Sequence, residues 1–195
     1  MHSILQYNEF LVKEHVGMFK AANNFDIFDP HTGQKIMECR EPNLGVFAKM
    51  FRFSDYKRYT PFELVITTTD GQPVITVKRG VSIFLSKVEV LDEHGRCIGY
   101  FKQKLFSLGG AFTVLDAQEN PVCTLKGKWT GWNFKFSKGD FVMAEVSKKW
   151  AGAGKELFTS AGDYMLAITP QVSASDATRS LILAAVMCID MVLKE

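Results

Sequence analysis

No run in this chain approaches the roughly 20 apolar residues that a membrane-crossing helix needs. The longest, Leu181 to Ile189, is nine residues, or about thirteen with Met191 to Leu193, and Asp190 interrupts it. A multi-span membrane protein is therefore excluded. Catalytic signatures are equally scarce: there is no Gly-x-Ser-x-Gly, no His-Glu-x-x-His and no Walker loop. Ala151-Gly152-Ala153-Gly154-Lys155-Glu156 lacks the Ser or Thr that a phosphate loop carries after its lysine, and reads as a flexible turn. The four cysteines, Cys39, Cys97, Cys123 and Cys188, form no Cys-x-x-Cys pair. They read as small buried hydrophobes in a reducing compartment. None of the four histidines pairs with another at ligand spacing, so no metal site is expected. A net charge of +2 gives no case for a nucleic-acid partner. Near Met1 the residues Gln6, Asn8 and Glu9 break any signal-peptide core, so an intracellular, cytoplasmic protein is expected.

What is abundant is phenylalanine, 16 of 195 residues, within a composition that is 47% hydrophobic and 23% charged. A chain of this length buries roughly 70% of its unfolded surface and holds a core without disulfides or metal. Residues 1–195 read as one domain. Strand signals dominate. Trp132, Phe134 and Phe136 alternate with Asn133, Lys135 and Ser137, the period-2 pattern of a half-buried strand. A unit of apolar run, acidic turn and apolar run recurs at Asp29, Asp70, Asp92-Glu93, Asp116 with Glu119, and Asp140. From Asp70 onward these turns lie about 23 residues apart, one β-hairpin each, and the whole chain then holds about twelve strands. A propeller would need roughly sixteen.

The C-terminus decides between a sandwich and a barrel. Leu181 to Ile189 is hydrophobic on every face, and Ser173, Ser175 and Asp176 upstream are good helix-start residues. A helix apolar all round and too short for lipid belongs in a core. The expected fold is mainly β: a closed antiparallel barrel of about twelve strands around a central hydrophobic helix, Ser180 to Leu193, with no exposed strand edges. Asp190 sits in the last turn of that helix, against its dipole, and is expected to have a structural partner at the barrel mouth. Leu44, Phe47, Ala48 and Phe51 recur at helical spacing and suggest a short helix across one end.

The last fifty residues carry Lys148-Lys149-Trp150, Gly152, Glu156, Phe158-Thr159 and Asp163-Tyr164, then the apolar run with Ile189-Asp190. This resembles the phospholipid scramblase family, whose barrel is of the tubby-like (LURP-one-related) type. The resemblance extends over residues 24–193 and is strongest over 148–193. It implies the same helix-filled barrel, together with lipid binding. The family's calcium segment follows the Phe-Thr pair with several acidic residues; here the stretch is Ser160-Ala161-Gly162-Asp163, with one carboxylate. Calcium takes six to eight oxygens, so no cofactor is expected, calcium included.

The strands that follow the acidic turns end in basic residues: Arg40, Lys78-Arg79, Lys102 and Lys104, Lys126 and Lys128, and Lys148-Lys149. In an up-and-down barrel all the turns share one end and all the basic strand ends the other. Lys78, Arg79, Lys102, Lys104, Lys126, Lys128, Lys148 and Lys149 are the candidate lipid- or anion-binding residues. The expected partner is an anionic phospholipid or an acidic protein, met peripherally at the inner face of the plasma membrane. The alternatives are a small-ligand carrier or enzyme with a cavity at the barrel mouth, and a regulatory protein-interaction domain.

Overall fold

The computed structural model describes residues 2–15, 24–42, 61–80, 87–103, 111–128, 132–148, 162–173 and 176–193. A 3-10 turn, Ser3–Gln6, leads into twelve strands. They are β1 Glu9–Glu14, β2 Phe25–Phe28, β3 Lys35–Arg40, β4 Phe62–Thr68, β5 Pro73–Arg79, β6 Lys87–Leu91, β7 Cys97–Gln103, β8 Ala111–Asp116, β9 Pro121–Lys128, β10 Asn133–Lys138, β11 Phe141–Ser147 and β12 Asp163–Ile168. A long helix, α1 (Ala177–Leu193), follows. Each strand pairs antiparallel with its sequence neighbour, and β1 closes the barrel on β12, Phe10 opposite Leu166 and Val12 opposite Tyr164. The sequence-derived fold class is the observed one.

Alternation places the core. Along β4, Phe62, Leu64 and Ile66 are buried while Glu63, Val65 and Thr67 stay partly exposed. The hairpin turns are tight; those at Asp29, Asp92 and Asp116 start on aspartate, and that between β4 and β5 starts on Thr68. Asp92 accepts from the amides of His94 and Arg96, and Asp116 from those of Gln118 and Asn120, all at 2.8–2.9 Å. Gly71, Gly95 and Gly139 supply the left-handed backbone that three of these turns require. Trp132 is itself left-handed, at φ 46°, and stands just before β10 rather than inside it. Its ring stacks on Tyr164 at 5.4 Å and meets Phe134 edge-on at 6.1 Å.

The helix fills the barrel. Leu181 to Ile189 are each at most 2% exposed. A 17-residue helix spans about 25 Å, close to the roughly 20–24 Å of six- or seven-residue strands, so one helix suffices for the whole height. It begins at Ala177, three residues before the expected Ser180, because Asp176 caps it by accepting from the Thr178 amide at 2.8 Å. Gly99 lets the helix approach β7: a Cβ there would lie 2.2 Å from the Leu115 carbonyl oxygen and 2.8 Å from Leu181 Cδ2.

At the helix start the sequence reading missed a buried cation. Arg179 is 2% exposed. Its Nε donates to the Val172 carbonyl at 3.0 Å, Nη1 to the Tyr7 carbonyl at 2.8 Å and the Leu5 carbonyl at 3.3 Å, and Nη2 to Asn8 Oδ1 at 2.6 Å. One side chain thus ties the first residues of the chain to the helix across the tight-turn end of the barrel.

Candidate functional site

The acidic residues at the tight-turn end are engaged in local structure. Burial pushes the Asp29 carboxyl up, but bonds from the His31 amide and the Thr32 hydroxyl outweigh it and hold the group below the usual aspartate range. Asp92 is lowered likewise, against burial, by the Arg96 amide and side chain. Asn120 lowers Asp116, and the Thr68 hydroxyl lowers Asp70. These carboxylates are turn caps, so the acidic end is explained without a ligand.

The opposite end, where the strands leave into longer connections, carries the sequence-predicted basic residues. Arg40 donates to Asp26 at 2.6 Å, Glu38 at 3.0 Å and the Phe25 carbonyl at 2.6 Å, so it is bound into the wall. Lys78 pairs with Glu63 at 3.3 Å. Arg79 is a correction: it is 5% exposed, with its guanidinium 4.7 Å over the Phe62 ring, and it presents no charge to a surface. Its place on β5 has the same parity as Ile75 and Val77, which face the core. Lys148 sits 4.0 Å over Trp132. Lys102 and Lys126 are exposed, with no carboxylate at ion-pair distance among the described residues. Lys128 ends β9 opposite Asn133, and its side chain lies outside what the structure describes. Lys104 and Lys149 lie outside the described residues, as do the helix expected at Leu44 to Phe51 and the whole segment from Trp150 to Ala161. Asp190 lies within α1, but its side chain is not among those described.

The basic strand ends therefore divide. Those on β3 and β5 are neutralised or buried, and exposed unpaired charge gathers on β7 and β9. From Cys97 to Lys128 the only acidic residues are Asp116 and Glu119, both at the tight-turn end.

Other chemistry is sparse. Asp163, the one carboxylate of the calcium-like segment, is 2% exposed at the start of β12. Among the described residues no three His, Cys, Asp or Glu side chains converge on a metal-sized point. Three of the four thiols are poor nucleophiles, because desolvation drives Cys39 and Cys188 up strongly and pushes Cys123 up to about 12. A cleft of about 740 Å³ lies on the outer wall near the tight-turn end, lined by Tyr7, Glu9, His31, Glu145 and Thr169 among others. It forms only where β1, β12 and β11 meet, so no local residue pattern announces it. No helix among the described residues is long and apolar enough to cross a membrane.

A twelve-stranded antiparallel barrel filled by its own C-terminal helix defines a helix-plugged β-barrel. Within that class the chain belongs to the Scramblase family, whose family model matches residues 3–195. It is 27% identical over 122 residues to human phospholipid scramblase 2, covering 55% of this chain and 41% of that protein. It is also 22% identical over 178 residues to the Saccharomyces cerevisiae altered inheritance rate of mitochondria protein 25, covering 78% of this chain and 54% of that one. The chain thus spans about half the length of the curated relatives it matches. An X-ray structure of an Arabidopsis thaliana protein aligns over 95% of this chain and 96% of that one, at 16% identity and a TM-score of 0.48.

Proposed function

We propose that this chain is a peripheral, reversible binder of anionic phospholipid surfaces that keeps its helix inside the barrel. Membership of the Scramblase family supports the lipid. The observation that carries the reading is the exposure of Lys102 on β7 and Lys126 on β9, neither with a carboxylate at ion-pair distance among the described residues. Each lysine engaged at an anionic surface contributes about 1 kcal/mol. A handful gives weak, salt-sensitive attachment rather than anchoring.

Withdrawing the helix to cross a bilayer is the costly route. Leu181, Ile182, Leu183, Val186, Met187 and Ile189 are all buried. At about 2 kcal/mol each their burial contributes on the order of 12 kcal/mol, comparable to the whole stability of a domain. Asp190 would add about 2.5–3.5 kcal/mol at a bilayer centre. Binding needs no calcium in this reading, since Gly162-Asp163 offers a single buried carboxylate. Co-sedimentation with vesicles tests the function. Binding to phosphatidylserine or phosphatidic acid vesicles is expected, weakening with salt and unchanged by chelator. Equal binding to neutral phosphatidylcholine, or none to any vesicle, would overturn it.

A further inference from the structure

The strand register puts lysines directly opposite lysines, twice. Lys87 on β6 faces Lys102 on β7, and Lys126 on β9 faces Lys135 on β10. Like charges at directly opposed positions are destabilising, and rules broken without a local gain concentrate at functional sites. In each pair the outer lysine turns away to a carboxylate. Lys87 crosses the Tyr100 ring at 3.7 Å to reach Glu119 at 2.6 Å, and Lys135 reaches Glu145 at 2.7 Å. The inner members, Lys102 and Lys126, are left over. Glu119 senses Lys102 but bonds Lys87.

Between these two runs β8, which has no charge at the matching positions. Thr113 lies opposite both Lys102 and Thr124, and Ala111 lies opposite Lys126. The result is a shallow trough with a floor of Thr113 and Thr124, beside Ala111, which is buried. Its two lysine-bearing walls stand about 10 Å apart, two interstrand spacings. Thr113 and Thr124 are partly exposed, and neither hydroxyl has a partner among the described residues.

We infer that this β7–β8–β9 trough is a phosphate site that takes the phosphomonoester headgroup of an anionic lipid, so that the barrel meets the membrane side-on. A phosphomonoester carries close to two charges and three strong acceptor oxygens. Two ammonium groups and two hydroxyls supply matching charge and donors, which a single-charged diester uses less fully. The inference rests on the anionic-surface reading and narrows it to one face.

The test is vesicle binding by wild type, by the Lys102→Gln/Lys126→Gln variant, and by a Lys78→Gln/Lys148→Gln control. Phosphatidic acid and phosphatidylserine vesicles are matched in surface potential. The control lysines are basic too, but they are engaged with Glu63 and Trp132. The trough variant should lose about thirtyfold on phosphatidic acid vesicles, the effect of two engaged lysines. Its melting temperature should hold or rise, because two like-charge pairs are relieved. The control should lose less than about twofold. Equal affinity of wild type for the two lipids, or equal loss in both variants, would overturn the trough and leave the anionic-surface reading standing. Failure of the wild type to bind either vesicle would overturn both.

Discussion

Replacing Arg179 with methionine tests the tie between helix and chain start. The substitution keeps length and apolar stem but removes the fork. It leaves the Val172 and Leu5 carbonyls, whose bonds to Arg179 are buried, without their donor, and the Tyr7 carbonyl and Asn8 Oδ1, whose bonds are partly buried, without theirs. An orphaned buried acceptor costs about 1–3 kcal/mol and a partly wet one less. Against this, the guanidinium no longer has to be desolvated, a cost visible in the lowering of its pKa by burial. The net expectation is a loss of about 2–4 kcal/mol. With a urea m value of about 2 kcal/mol/M, the unfolding midpoint should fall by roughly 1–2 M. Arg179→Lys should recover less than half of the loss, since one ammonium cannot reach acceptors on both sides. Hydrogen exchange should show the amides of residues 3–8 opening in the methionine variant well before those of the strands. A midpoint within about 0.3 M of wild type would mean that the buried fork does not hold the chain start to the helix.

Three further outcomes follow from the fold. Gly99→Ala should cost about 1–3 kcal/mol by overpacking, because its Cβ would meet the Leu115 carbonyl oxygen and Leu181; a thermal melt within a degree or two of wild type would refute the close approach. Ala185→Arg should prevent folding altogether, as Ala185 is wholly buried within α1 and an unpaired charge there costs several kcal/mol; a soluble variant with native near-ultraviolet dichroism would contradict the core role of the helix. The capping aspartates Asp29, Asp92 and Asp116 have folded pKa values below their unfolded ones. Their contribution is therefore present above the unfolded value and is lost as pH falls through the folded one. Stability measured by urea should be flat above about pH 5 and decline below about pH 4, and Asp116→Asn should flatten part of that decline.

The architecture was legible because its signals are local. Acidic turns at a regular interval marked the hairpins, and an apolar run too short for lipid marked the central helix. Arg79 was also legible but misread: alternation from Ile75 through Val77 puts it on the inner face, and its neighbour Lys78 drew it into a surface pair. Arg179 gave no such signal, since a charge two residues before an apolar run reads as a solvated flank until the chain start is known to pass over it. Trp132 fitted the alternation of Phe134 and Phe136, yet its left-handed backbone ends the preceding connection. The lysine-on-lysine register depends on how neighbouring strands slide. β-bulges such as those at Val90/Leu91 and Val114/Leu115 help to set it, and no residue pattern announces them.

The central claim is that lipid is met from outside while α1 stays in the barrel. Hydrogen exchange of the α1 amides, with the protein saturated on anionic vesicles, tests this most directly. Amides from Leu181 to Ile189 are expected to keep the protection they have in solution, while those of β7 to β9 gain some. Loss of protection along α1 on vesicle binding, or its labelling by a bilayer-embedded quencher, would show that the helix leaves the core and would contradict the account.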